Sequence, residues 1–250
     1  MYWLLILVAV ATAISLLVRL SDRYRDLKRE NEAYRPNLES LVTTRTHKWD
    51  STPGDPEKSL DITLQAFGDA LDLKNAETER HNRRVTAYTI AIARRMDLPK
   101  DRILIIARGA FLHDIGNMAI PGNILGKVGR LTEEEMRIMR QHAYTGYKIL
   151  ANIPSLVEAS EIVYSHHECF DGSGYPRGLK GEEIPLGARI FALADTLDAM
   201  TSDHPHRAAI SFDDARKQIE KCSGHQFDPA VVKAFLEMPG SSWPDPDSNV

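Results

Sequence analysis

The rhythm of apolar and polar positions changes three times along the chain. Residues 1–18 contain no charge, and only Tyr2, Thr12 and Ser15 carry polar side-chain groups. As a helix this run reaches about 27 Å, close to the ~30 Å hydrocarbon core of a bilayer. Its positive residues come after it, at Arg19, Arg23, Arg25, Lys28 and Arg29, which puts the following chain on the cytoplasmic side. A cleaved signal peptide is the alternative, with Ala11 and Ala13 imitating its cleavage site, but no positive residue precedes the apolar run. The pattern therefore predicts a single transmembrane helix over 1–20 in the inner (cytoplasmic) membrane, with the remainder in the cytoplasm. Residues 21–58 are charged and weakly periodic, then broken by Pro36, Pro53, Gly54 and Pro56. They read as a juxtamembrane helix and linker, which permits a homodimer.

From residue 59 helical spacing takes over. Leu60, Leu64, Phe67 and Leu71 recur on one face, and Val85, Tyr88, Ile92 and Met96 on another. Asp101 is expected to cap a helix over 102–112 that is apolar nearly all round, and therefore central. Thr132 with Glu135 forms a capping-box pattern, opening a helix that is expected to carry His142. Further helices fit 155–166, 186–201, 211–222 and 228–238. Alternating strand patterns are scarce. Residues 59–238 are thus predicted to be one all-α domain, followed by a polar tail over 239–250.

Composition adds exclusions. A hydrophobic fraction of 43% with 26% charged residues is globular. The net charge of −4 gives no reason to expect DNA as a partner, so a phosphate-bearing ligand would need metal ions or a few local cations. Cys169 and Cys222 are the two cysteines, and they fit reduced thiols better than a disulfide framework.

The titratable residues fall beside the most apolar helices. Glu77 and His81 are four apart and share a helical face. His113-Asp114 follow the 102–112 run, His166-His167 end another, and Asp195 and Asp198 lie within ALADTLDAM. Carboxylates flanked by Leu, Ile and Ala need a cation or hydrogen bonds if buried. Imidazole and carboxylate ligands suit Fe, Mn, Co, Ni or Zn, and a pair of bridged ions is an arrangement used for phosphoester hydrolysis. The stretch HHECFDGSGYP joins two imidazoles to a turn in which Gly172 and Gly174 permit unusual backbone angles.

The order His81, His113-Asp114, Asp195 resembles the metal core of the HD superfamily of phosphohydrolases. HDIG, HHE, DGSGYP and ADTLDAMTS together resemble the HD-GYP family of cyclic di-GMP phosphodiesterases, over roughly 59–238. The resemblance implies an HD-type helical bundle whose reaction opens cyclic di-GMP to pGpG, and in some members onward to GMP, through attack by a metal-bridging hydroxide. It implies His81, His113, Asp114 and Asp195 around two metal ions, completed by His142, His166 and His167. Glu77 resembles the extra carboxylate of members holding three ions, with a two-ion site as the alternative; iron or manganese is typical. Asp114 or Asp195 would orient the hydroxide, and Tyr175 would shape the substrate wall.

Departures touch the substrate shell. The family lysine of HDIGK is Asn117 here, and the run after Asp198 carries His204 in place of a phosphate-binding arginine, while Arg207 keeps a basic group. Asn117, Tyr175, Asp198, His204 and Arg207 are the expected substrate contacts. The altered residues keep two other readings open: a receptor or scaffold that binds nucleotide or a diguanylate cyclase without turnover, and a hydrolase of another cyclic dinucleotide or nucleotide.

Overall fold

The chain divides into two compact units, Met1–Ile62 and Thr63–Val250. The structure, a computed structural model, describes residues 81–203 and 208–239, together with Arg19, Arg25, Leu64, Gly68 and Trp243. The apolar run over 1–18, Glu77, His204 and Arg207 lie outside the described residues. Among the described residues no helix is long and apolar enough to cross a membrane.

Within the second unit the described residues form helices α1 (His81–Arg95), α2 (Lys100–Phe111), α3 (Gly122–Leu125), α4 (Glu133–Met139), α5 (Gln141–Leu150), α6 (Val157–Ser165), α7 (Leu186–Thr201), α8 (Phe212–Lys221) and α9 (Pro229–Leu236). Short 3-10 turns cover Ile115–Ala119, Pro154–Leu156 and Gly181–Glu183. No strand occurs among the described residues; one isolated bridge joins Ser223 to Phe227. The all-α expectation holds for the described residues of this unit.

Local chemistry sets three of the helix starts among the described residues. Thr132 Oγ1 accepts from the Glu135 amide at 3.2 Å while Glu135 accepts from the Thr132 amide at 2.7 Å, the reciprocal cap its sequence announces. Ser211 caps α8 through the Asp214 amide, and Asp228 caps α9 through the Ala230 amide with Pro229 at the first helical position. Asp101 is not the cap of α2. Pro99 takes that place in an extended conformation, and Asp101 lies in the first turn, where its charge faces the positive helix end.

One further expectation is corrected. His142 is not on the helix that Thr132 opens, because that helix stops at Met139 and α5 begins at Gln141, with Arg140 at the corner. The reason is packing: α4 buries no residue, whereas α5 buries His142, Ala143, Gly146 and Leu150 and must turn inward to do so. The central place expected of α2 is met by its packing on α1, α6 and α7, although it is not the most enclosed helix. It buries Ile106, Gly109 and Ala110, while α7 buries nine residues, among them Ile190, Phe191, Leu193 and Leu197.

The core lies where α1 packs on α2 and α7, with α8 and α9 closing one side. Phe191, Phe227, Phe235 and Ile92 are fully buried there, each contributing about 1.5–3 kcal/mol relative to exposure. On the other flank α6 packs against α2 and α5, and α5 against the Ile115–Ala119 turn. That approach is close enough to require glycine: a Cβ on Gly116 would sit 1.9 Å from the His142 carbonyl oxygen. The HDIG glycine thereby draws Asp114 up to His142.

Candidate metal centre

The end of α2, the start of α5, the end of α6 and the middle of α7 deliver their histidines and aspartates to one place. Two groups form: His142, His166 and His167, and His81, His113 and Asp195, each with ligating atoms within 4.8 Å of one another.

The first group is held by the backbone. His142 Nδ1 lies 2.7 Å from the Met139 carbonyl oxygen, and His166 Nδ1 lies 2.6 Å from that of Val163. A carbonyl can only accept, so both Nδ1 atoms carry the hydrogen and the Nε2 lone pairs face inward. His142 Nε2 then stands 3.1 Å from His166 Nε2 and 3.2 Å from His167 Nε2. Lone pairs converging at such distances call for a shared cation. Burial, reinforced by the neighbouring rings, drives the His166 pKa well below its ordinary value, and takes that of His167 to about 3. Both rings are therefore neutral at pH 7, the state that ligates.

The second group is held by side chains. His81 Nε2 is 3.4 Å from Asp195 Oδ1, while its Nδ1 is 2.7 Å from Asp198 Oδ2. Asp198 in turn accepts from Arg84 Nε at 2.6 Å and Nη2 at 3.0 Å, and Arg84 Nη2 donates to Ser202 Oγ at 3.0 Å. His113 Nδ1 donates to the Ala110 carbonyl at 2.9 Å. Burial raises the Asp195 pKa, only partly opposed by His113 and His81, so this carboxyl lacks enough positive charge around it.

Asp114 joins the groups. One oxygen lies 3.5 Å from His113 Nε2 and the other 3.5 Å from His142 Nε2. Burial opposes its ionisation, yet His113 and the other rings hold its pKa far below the usual carboxylate range. The same attraction, working against burial, lifts His113 to about 9. A carboxylate that pulls a proton onto an adjacent imidazole has the field that a divalent cation satisfies. Inward lone pairs, an under-compensated Asp195 and the Asp114 bridge together fit two divalent ions.

One expected substrate contact is corrected. Asp198 is buried behind His81, engaged by its Nδ1 and by Arg84, so it orients a ligand rather than facing a substrate. Asn117 is buried on the Ile115–Ala119 turn with its Oδ1 unpartnered. The Tyr175 ring stacks on His167 at 4.6 Å and 27°, and the Arg140 guanidinium lies over it at 4.8 Å; burial pushes the phenol up to about 12.

Three functional contributions escape sequence reasoning. Arg84 is one turn after His81, a signal that spacing could have offered. Glu168, the last residue of HHE, is buried and accepts the Arg177 amide at 2.7 Å and the Leu179 amide at 3.2 Å, which fixes the loop around Tyr175. Gly174 serves that loop by close approach: a Cβ there would lie 2.3 Å from the Cys169 amide nitrogen. Gly172 has the positive φ, 87°. Arg140, at the corner between α4 and α5, gives no sign in sequence of its place over Tyr175.

The sequence family described as HD domain matches residues 65–231. The chain belongs to the HD domain family. Its HDIG, HHE and DGSGYP elements place it in the HD-GYP branch. The HD domain chain is 44% identical over 184 residues to a cyclic di-GMP phosphodiesterase of Thermotoga maritima, covering 73% of this chain and 50% of that protein. It is 36% identical over 176 residues to a 3'3'-cGAMP-specific phosphodiesterase of Vibrio cholerae, covering 70% of this chain and 38% of that one. It thus spans about half the length, or less, of these curated relatives. A solved HDG"Y"P protein of Bdellovibrio bacteriovorus shares the fold, with a TM-score of 0.53 at 18% identity, covering 79% of this chain and 68% of that one.

Proposed function

We propose that this HD domain chain is a metal-dependent phosphodiesterase that opens cyclic di-GMP to pGpG, with GMP as a further product. The observation that carries the reading is Asp114, with one oxygen towards each ligand group. His81, His113, Asp195 and Asp114 would hold one divalent ion and Asp114, His142, His166 and His167 a second, with Glu77 as donor to a third; iron or manganese is the expected metal. Bound there, such ions activate water and neutralise charge on the reacting phosphate. The chain's own residues do the rest. Arg84 and Asp198 fix the His81 ring, the Met139 and Val163 carbonyls fix the tautomers of His142 and His166, and Asp195 is placed to accept or orient a proton beside them. Glu168 holds the loop that presents Tyr175 to the substrate. The similarity to cyclic di-GMP and 3'3'-cGAMP phosphodiesterases supports a cyclic dinucleotide as substrate class.

The test is product analysis with the purified, iron- or manganese-loaded full chain. Formation of pGpG supports the reading; metal-loaded protein that binds cyclic di-GMP yet releases no product overturns it in favour of a receptor. The 3'3'-cGAMP relative favours a second reading, in which a mixed cyclic dinucleotide is preferred. The ratio of kcat/KM for the two substrates decides between them. Anchoring in the cytoplasmic membrane through residues 1–20 is proposed on the apolar run and its flanking arginines alone, and recovery of the full chain in a salt-washed membrane fraction tests it.

A further inference from the structure

A cyclic dinucleotide carries two phosphodiesters on opposite sides of its macrocycle. The ligand groups can grip only one of them, so the other needs a cation some distance away. Asn117, which stands where the family has lysine, brings no charge. The neighbouring cations are mostly committed: Arg84 to Asp198, Arg177 to Glu161 and Ser165, Lys127 to Glu135. Arg140 differs. Among the described residues its guanidinium meets the Tyr175 ring face and no carboxylate. It stands at the corner between α4 and α5, two residues before His142, and His167 lies on the same tyrosine at 4.6 Å. Contacts thus run from the exposed Arg140 to Tyr175, from Tyr175 to the stacked His167, and from His167 edge-on to His142. A guanidinium over an aromatic ring that meets no carboxylate still has N–H donors to offer a phosphate.

We propose that Arg140, steadied on Tyr175, is the residue that binds the non-scissile phosphate of the substrate and so replaces the charge missing at Asn117. This rests on the phosphodiesterase reading above. A lost charge-assisted contact weakens binding about tenfold or more. The experiment uses the metal-loaded full chain as wild type, R140Q and R140K, with calorimetric titration of pGpG (two phosphates) and GMP (one), metal analysis, and kcat and KM for cyclic di-GMP. The expected result for R140Q is a pGpG dissociation constant raised about tenfold, a GMP constant changed less than about twofold, full metal content, and KM raised with kcat nearly unchanged, R140K falling between. Unchanged pGpG affinity in R140Q overturns the proposal, and so does an equal loss for pGpG and GMP. If wild type binds pGpG but hydrolyses no cyclic di-GMP, the phosphodiesterase reading falls while the affinity ratio still decides on Arg140. Wild type that binds neither nucleotide overturns both.

Discussion

The two ligand groups differ in what holds them. His142 and His166 are fixed by main-chain carbonyls three residues earlier, so their aim is set once their helices form. His81 is fixed by Asp198, a residue 117 positions away, which is itself oriented by Arg84. The first arrangement has no supporting side chain to lose, and short of replacing the histidines it should resist mutation. The second depends on a relay of side chains and can be loosened without touching a ligand. Charge differs too: burial keeps His166 and His167 neutral in the first group, whereas the other group mixes imidazole with a carboxylate raised by burial.

The largest effect should come from the residue that erases the comparison. D114A removes the oxygens facing both groups, and kcat/KM should fall by about a thousandfold or more, with metal content lost from both. Wild-type turnover in D114A, measured alongside elemental analysis, would remove the metal mechanism. A smaller and one-sided effect is expected from D198N or R84Q. Metal affinity should drop about 10–100-fold at one ion only, giving a biphasic chelator titration where wild type gives a steeper one. Equal weakening of both ions would mean that the groups are not independently supported. The carboxyl of Asp198 is buried, but hydrogen bonds from His81 and Arg84 hold its pKa below the ordinary value. Its stabilisation is therefore fully present above the unfolded pKa of about 3.9 and is lost as pH falls through the lower folded value, so the acid-unfolding profile of D198N should lack that limb. The smallest effect should come from E168Q, which leaves both groups intact. Loss of one acceptor for the Arg177 and Leu179 amides should cost about 1–3 kcal/mol of stability. Metal content should be unchanged and KM raised through a looser Tyr175 loop.

The candidate ligands were legible in sequence because the family resemblance and their apolar surroundings both mark them. His113, Asp114, His142, His166, His167, His81 and Asp195 were named from the chain, and the structure brings these seven together. The supports were less legible, since each depends on a partner distant in sequence. Asp198 reads as a substrate contact until it is seen buried against His81. The corner at Arg140 is invisible to helix periodicity, because what ends α4 there is the burial demand of α5. Thr132 was readable as a cap, since a capping box closes within three residues, whereas Asp101 was read as one and Pro99 holds that place.

The Arg84 relay also ends on Ser202, where α7 gives way to the segment that carries His204 and Arg207. A single guanidinium thus touches both the orientation of His81 and the start of the segment expected to contact substrate. Thermodynamic reciprocity then fixes a relation between two quantities measured separately. By whatever factor metal loading tightens nucleotide binding through this strut, nucleotide must tighten metal binding by the same factor.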